Sequence, residues 1–491
     1  MPDLQTLIVT GASGFIGRHF VLAAMHRFRM YCLARRSQAE VEIPQHPNIH
    51  WIQVDIADSQ QMRQLAASLR EGHEIEAVLH LAGYYDFSLK DNPAYHKANV
   101  QGTENILDLA HKLGVPHFIF SSSLAACAFT PPGSAVNEAT PLTADFPYAR
   151  SKRKAEALIT AASAEMSASV VRLAAVFSDW CEYPPLYSLL ETWLSRSPLS
   201  RIIGGRGQFS LPYIHIKDVI KLFLVLLENG GREPGVRVFL ASPAGSVSHT
   251  DIYHTACSYS FNRRKKAFYI PKWLAWAGLS CRCCFSRMAG IRLFERPWMA
   301  RYIDAQLSVD PGATYEALNW KPKPRYALLR RLLFIIENKK IHAYSYHFRN
   351  QAQMQRFPER NTAVLFTTLC AVREDVLEQV LRFMLAPSNI LQFFHFQRVD
   401  PAFLKALTDL MYQLIMVSVR SRNRSMISDH LGSVAGDLFA QGFSRQELVD
   451  FIQLLGSTLI QTLQSRSEIQ AIKREIVHSL ELKMQHCVDE N

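Results

Sequence analysis

Tyr148 and Lys152 stand four residues apart in the run Tyr148-Ala149-Arg150-Ser151-Lys152. On a helix that spacing puts both side chains on one face. A phenol titrates near 10, too high for proton exchange at neutral pH. A neighbouring ammonium favours the phenolate and brings that value down. Such a pair would take a proton from an alcohol or give one to a carbonyl. Y-x-x-x-K alone is more often an exposed helix pair, so its weight rests on what accompanies it. Near the start, Thr10-Gly11-Ala12-Ser13-Gly14-Phe15-Ile16-Gly17 follows a short apolar run, Leu7-Ile8-Val9, and opens a helical segment from Phe15 to Met25. Glycines spaced G-x-x-G-x-x-G allow a tight turn and a close approach of backbone to a pyrophosphate. The helix N-terminus adds unpaired N–H groups and the positive end of a dipole. A dinucleotide cradle of Gly11, Ser13, Gly14, Phe15, Ile16 and Gly17 is expected. The next apolar run ends in Leu33-Ala34-Arg35-Arg36. An acidic residue there would hold a ribose 2′-hydroxyl, whereas arginine suits a 2′-phosphate. Arg35 and Arg36 therefore favour NADP, with NAD as the other option.

Something must hold these groups together. Continuous apolar runs at Met30 to Ala34, Trp51 to Val54, Ala77 to Leu81, Phe118 to Phe120 and Ser169 to Leu173 alternate with helical segments. Unbroken rather than alternating apolar strands between helices predict a parallel sheet covered on both faces, an α/β doubly wound fold. In such sheets the ligand lies beyond the carboxyl ends of the strands.

Further motifs follow in order: Val54-Asp55, His80-Leu81-Ala82-Gly83, Asn99-Val100-Gln101-Gly102-Thr103 and Phe120-Ser121-Ser122-Ser123. After Tyr148 and Lys152 come Arg172 in VRLAAVF, Tyr213 to Val219 (YIHIKDV), and Leu318 to Pro322 (LNWKP). With these, residues of about 5–335 resemble the extended short-chain dehydrogenase/reductases, which include nucleotide-sugar epimerases and 3β-hydroxysteroid-type dehydrogenases. The resemblance implies a Rossmann-type fold and a catalytic set of Ser123, Tyr148 and Lys152. In it Ser123 holds the reacting oxygen and Lys152 also reaches the cofactor ribose. It further implies that Asp55 holds the adenine end, and that Ile56, Leu81, Ala82, Gly83 and Asn99 line the cofactor groove. Sugar dehydratases of this family carry Thr-Asp-Glu where this chain has Ser121-Ser122-Ser123, so the extra acid and base for eliminating water are missing. Tyr84, Tyr85 and Phe87, and Asp179-Trp180-Cys181-Glu182-Tyr183, place aromatic rings near the expected substrate entrance, with packing in the core as the other reading. With Ser123, Tyr85 and Trp180 are the expected substrate contacts, and the substrate an apolar, lipid- or sterol-like carbonyl or alcohol. The expected activity is NADP-dependent hydride transfer. An NDP-sugar epimerase with bound NAD is the alternative. A non-catalytic NADP-sensing scaffold is a third reading, against which the presence of both Tyr148 and Lys152 counts.

Length and composition predict a globular chain of about two to four domains. The chain has 491 residues, 48% hydrophobic and 20% charged, which excludes a largely disordered chain. No uncharged apolar run is long enough to span a bilayer, and no secretory signal is visible. Nine scattered cysteines suggest thiols in a reducing cytoplasm, and Cys281-Arg282-Cys283-Cys284 lacks a second cluster, so no metal is expected. The net charge of +11 is concentrated in residues 262–350, which hold 18 Lys and Arg against 5 Asp and Glu. There Arg263, Arg264, Lys265, Lys266, Arg282, Arg287, Arg292, Arg296 and Arg301 mingle with Trp273, Trp276 and Trp298. Two readings stand: peripheral contact with the inner face of an anionic membrane, or a solvated face over buried tryptophans. No recognition motif points to nucleic acid. The substrate-binding part is expected from about 175–245 and 262–340, within a first domain of residues 1–350. Residues 351–491 read as an all-helical bundle of five or six helices, a regulatory or interaction module that could form a homodimer. Its signals are the stripe Leu365, Leu369, Val372, Val376, Val380 and Phe383, a cap at Asp400-Pro401, and a capping box at Ser444 and Glu447.

Overall fold

The computed structural model describes the chain apart from residues 1–3, 42, 71–73, 88–89, 165, 196, 230–232, 264, 289–293, 343–344, 348, 351–359, 422–433 and 466–491. The chain divides into two compact units, Met1–Ile341 and His342–Asn491.

The first unit is built on a seven-stranded parallel sheet. Its strands are β1 (Thr6–Thr10), β2 (Arg29–Ala34), β3 (Ile49–Gln53), β4 (Ala77–His80), β5 (His117–Ser123), β6 (Ser167–Leu173) and, at one edge, Gly235–Ala241. The spatial order is Gly235–Ala241, β6, β5, β4, β1, β2, β3. The chain thus starts in the middle, winds outward to β3, and returns on the other side of β1 at β4, with Thr10 beside His80. Strand alternation feeds two cores. Leu7, Val9, Leu79, Ile119 and Val171 pack with Phe20 and Phe223 on one face. Ile8, Leu33, Val78, Phe118 and Val170 pack with Met62, Ile106 and Ile159 on the other. That is why these strands read as unbroken apolar runs. The edge strand Gly235–Ala241 was not among the six expected. Arg237 interrupts its pattern, and its first half is only partly covered, as an edge position allows. It also places part of 175–245, expected in the substrate-binding part, in the main sheet.

Beyond the sheet lies a smaller lobe. The strand Ile202–Gly204 pairs with Phe268–Ile270, and Ser210–Leu211 pairs with Val247–Ser248. The helices Pro184–Trp193, His249–Phe261 and Lys272–Met288 surround them. No helix among the described residues is long and apolar enough to cross a membrane.

In the second unit three long helices, Arg360–Met384, Pro401–Ser421 and Arg445–Gln464, share one core. Leu369, Val372, Val376 and Val380 meet Leu404, Leu407, Met411 and Leu414, with Leu455, Leu459 and Leu463. Phe383 is an exception to the expected stripe: it is exposed and Met384 is buried in its place, a four-residue step from Val380. The side chain of Leu365 lies outside the described residues, as do 422–433 and 466–491. Asp400 accepts from Ala402 N at 3.0 Å. Ser444 and Glu447 form the reciprocal capping box. Glu447 also accepts from the backbone N–H of His395 at 2.9 Å, and its carboxylate lies 2.9 Å from the half-exposed His395 ring at Nδ1.

Candidate active site

The glycine loop sits where β1 and β4 part. Gly11 has a φ of 67°, and a Cβ there would lie 2.7 Å from Ala82 N. A Cβ on Gly17 would lie 2.2 Å from Gly11 O. Loop, helix α1 (Phe15–Ala24) and the end of β4 are therefore pressed together, and only glycine fits. Gly14 N donates to Gly11 O at 2.8 Å. Gly14 also caps α1 without a side-chain acceptor, and no acidic residue stands in the first turn of α1. Its N–H groups and dipole face an open cradle. Arg36, which is exposed, donates to Ser13 O and so reaches the loop from the end of β2. The backbone after β2 is held by Trp51 Nε1 on Arg36 O and Gln53 Nε2 on Arg35 O, both at 3.0 Å. Asp55 accepts from Ala57 N at 3.1 Å and lies 3.9 Å from Lys97 Nζ. Ile56 is buried against Gly102, where a Cβ would meet its Cδ1 at 2.8 Å.

A buried chain of hydrogen bonds fastens the end of β4. Ala82 N donates to Thr10 Oγ1 at 3.1 Å, and Thr10 Oγ1 lies 2.6 Å from His80 Nδ1. His80 Nε2 lies 3.0 Å from Thr103 Oγ1, which donates to Asn99 O at 2.8 Å. Since the Thr103 hydrogen is committed, His80 donates through Nε2 and accepts at Nδ1. This is a neutral imidazole, and burial, followed by the charge on Lys152, pushes His80 down to about 3. Asn99 spends its amide on the chain. It accepts from Tyr84 N at 2.6 Å, donates to Tyr84 O at 3.0 Å and donates to Ser151 Oγ at 2.8 Å. Leu81 and Ala82 are half-buried. Gly83 is exposed, and a Cβ there would point at Asn99 Oδ1 and at Lys152 Nζ, 3.4 and 3.6 Å away.

The helix Pro147–Ala162 opens on proline at its first position, where no N–H is needed, and so presents Tyr148 in its first turn. Lys152 is buried. Its Nζ donates to Ser121 O at 2.7 Å and lies 4.6 Å from the Phe120 ring centroid and 5.9 Å from that of Tyr148. Burial pushes its ammonium down to about 8, against the opposing pull of Glu156. The three serines diverge as a strand requires. Ser121 donates to His80 O at 3.1 Å, Ser122 on the opposite face donates to Glu156, and Ser123 accepts from Ala125 N at 3.1 Å at the strand end. Arg172 joins this rear face, with Nη2 2.9 Å from Glu156 and Nη1 2.7 Å from Thr140 O. Sequence reading gave no role to Thr10, Thr103 or Ser151, which it met only within motifs, and missed Glu156. Glu156 had a usable signal: it stands four residues beyond Lys152, one further turn along the same face. Arg153 adds a bond to Leu142 O at 3.1 Å. Successive side chains of this helix thus grip four different segments.

Tyr148 lies in an aromatic nest. Its ring stacks on Tyr85 at 4.3 Å, and Tyr95 and Phe146 stand 6.4 Å away. Tyr85 touches Phe87 at 4.0 Å, and Phe87 meets Phe294 at 5.5 Å and Tyr183 at 6.3 Å. Burial holds the Tyr85 phenol well above its usual range, so it stays neutral. Trp180 stands in the turn after the strand Ala175–Phe177, its N–H on Ser178 Oγ at 3.2 Å. In that turn Asp179 binds His215 at 3.3 Å and Arg331, while Glu182 is buried against Arg18 at 3.1 Å.

A parallel sheet whose strand order reverses between β1 and β4, a glycine turn that admits no side chain, and a tyrosine–lysine pair on one helix together make a candidate dinucleotide site. Residues 7–239 match the model of the NAD dependent epimerase/dehydratase family. A putative dihydroflavonol 4-reductase of Synechocystis is 26% identical over 228 residues, 45% of this chain and 63% of that protein. The 3 beta-hydroxysteroid dehydrogenase type 7 of Mus musculus is 33% identical over 176 residues, 33% of this chain and 46% of that protein. The chain thus matches less than two thirds of either relative's length. Among solved structures, UDP-glucose 4-epimerase of Thermotoga maritima superposes with a TM-score of 0.53 at 19% identity, over 69% of this chain and all of that one. That likeness is one of fold.

Proposed function

We propose that the first unit is an NADP-dependent oxidoreductase acting on the carbonyl or alcohol of an apolar, lipid- or sterol-like compound. The observation that carries this reading is the setting of Tyr148, one face stacked on Tyr85 and its ring 5.9 Å from a buried ammonium. The residues of the cradle fit a dinucleotide, whose bound nicotinamide supplies or accepts the hydride. Gly11, Ser13, Gly14, Phe15, Ile16 and Gly17 would hold its pyrophosphate. Asp55 and Ile56 would flank the adenine end, and Leu81, Ala82 and Gly83 would line the groove. The contact of Arg36 with Ser13 O sets a cation at the loop, which supports NADP over NAD through a 2′-phosphate. In carbonyl reduction Tyr148 gives its proton to the substrate oxygen, Ser123 orients that oxygen, and Lys152 favours the phenolate that remains. Tyr85 and Trp180, with Phe87, offer apolar ring surface to the substrate and exclude water from the proton transfer.

The test combines cofactor binding with turnover. NADPH is expected to bind at least about tenfold tighter than NADH, and Arg36→Glu to reverse that order. Tyr148→Phe should bind NADPH as wild type does yet lose about 10²–10⁴ in carbonyl turnover. Equal turnover would remove Tyr148 from the mechanism. NAD retained through purification, with no exchange, would favour the epimerase alternative. The helical unit is read as the regulatory or dimerising module. Its exposed apolar residues, Leu391 at 94% and also Phe383, Ile390 and Phe439, support that reading, and a monomeric mass in solution would count against a homodimer.

A further inference from the structure

The lobe carries a surface that the reaction does not use. From Ile252 to Phe294 the chain has eight Lys and Arg and not one Asp or Glu. Within it, the helix Lys272–Met288 turns Ala275 and Cys283 inward, with Ala275 against Gly204. Along the same helix Trp273 is 70% exposed, Trp276 56% and Leu274 41%. The neighbouring strand adds Phe268 at 51% and Tyr269 at 45%. Arg263, Lys266 and Lys272 are exposed beside them, whereas Lys265 is bound to Trp193 O and Ser200. Trp298, by contrast, is half-buried against Tyr302. Arg264, Arg292 and the side chain of Arg287 lie outside the described residues.

Two exposed tryptophans three residues apart cost solubility unless something covers them. Tryptophan and tyrosine are the side chains that favour the boundary between water and lipid headgroups. Cations drawn from a stretch of sequence without Asp or Glu complement a negative surface. We propose that this face, formed by Phe268, Tyr269, Trp273, Leu274 and Trp276 with Arg263, Lys266 and Lys272, docks on an anionic lipid bilayer. Just past the same helix, Phe294 begins a path of touching rings through Phe87 and Tyr85 to Tyr148. Glu295 anchors the start of that path to Ser188 at 3.0 Å and Thr192 at 3.1 Å on the helix Pro184–Trp193. An apolar substrate dissolved in the bilayer would enter along it. This last step rests on the proposed reductase reading; the docking itself does not.

The experiment uses the full chain with vesicles of phosphatidylcholine alone or mixed with phosphatidylglycerol. Binding is expected to the mixed vesicles only, to fall about tenfold or more between low salt and 0.5 M NaCl, and to shift tryptophan emission to the blue. Trp273→Ser/Trp276→Ser and, separately, Lys266→Glu/Lys272→Glu should each weaken it by about tenfold or more. Both should keep the thermal midpoint and the NADPH affinity of wild type. Absence of binding to mixed vesicles would overturn the proposal, as would undiminished binding by both double variants. A dimer that dissociates in Trp273→Ser/Trp276→Ser, with no vesicle binding by wild type, would assign the face to a second copy instead. Vesicle binding by Tyr148→Phe equal to wild type is expected, since that residue serves the reaction and not the surface.

Discussion

Burial pushes the Lys152 ammonium, 5.9 Å from the Tyr148 ring centroid, down from 10.5 to about 8. Two consequences are measurable. Its charge is present below about pH 8 and lost above, so carbonyl reduction should decline as pH rises through that value. Lys152→Met should lose about 100-fold in turnover and show no inflection there. Between about pH 8 and 10.5 the unfolded chain keeps a proton at Lys152 that the folded one has released, so the contribution of Lys152 to stability rises with pH across that window and is least below it. The difference in stability between Lys152→Met and wild type, read from urea unfolding curves, should follow that slope. Glu156→Gln strips Arg172 of its charged partner in a site where both are largely buried. It should destabilise the fold by about 3 kcal/mol. The four-residue spacing of Tyr148 and Lys152 was legible in sequence because a helix periodicity translates directly into a shared face. The bond from Asn99 to Ser151 was not, because it joins residues 52 apart whose meeting depends on how helices seat on the sheet.

Elements behaved as their local chemistry required wherever the signal was local. The capping box at Ser444 and the cap at Asp400 appear as read, since each needs only neighbours in the chain. Ser444→Ala should cost about 1 kcal/mol. Glu447→Ala should cost more, by about a further 1–2 kcal/mol, because it also orphans the His395 N–H; chemical denaturation of the full chain checks the order. Strands were legible where both faces are covered. They were not at the sheet edge, where Arg237 and partial exposure blur the pattern of Gly235–Ala241. Gly17→Ala is expected to abolish NADPH binding or folding, since its methyl would enter the space of Gly11 O.

On the scale of the molecule, three histidines contribute to its response to acid. Burial pushes His80 to about 3 and His117 and His249 to about 4. Each takes up a proton on unfolding near 6.5, so the stability they protect is complete above that value. It is lost as pH falls toward 4 and 3, at about 1.4 kcal/mol per unit for each histidine. Thermal midpoints should therefore drop steeply below pH 6, and less steeply in His249→Gln. The concentration of positive charge in residues 262–350 could be counted in the sequence, but the exposure of Trp273 and Trp276 required the packing of a whole lobe. Finally, the helix Pro147–Ala162 is tied through Ser151, Lys152, Arg153 and Glu156 to segments far apart in the chain. The rings of Tyr85 and Trp180 belong to other segments, so substitutions there are the place to alter the choice of substrate while the tyrosine–lysine pair keeps its mounting.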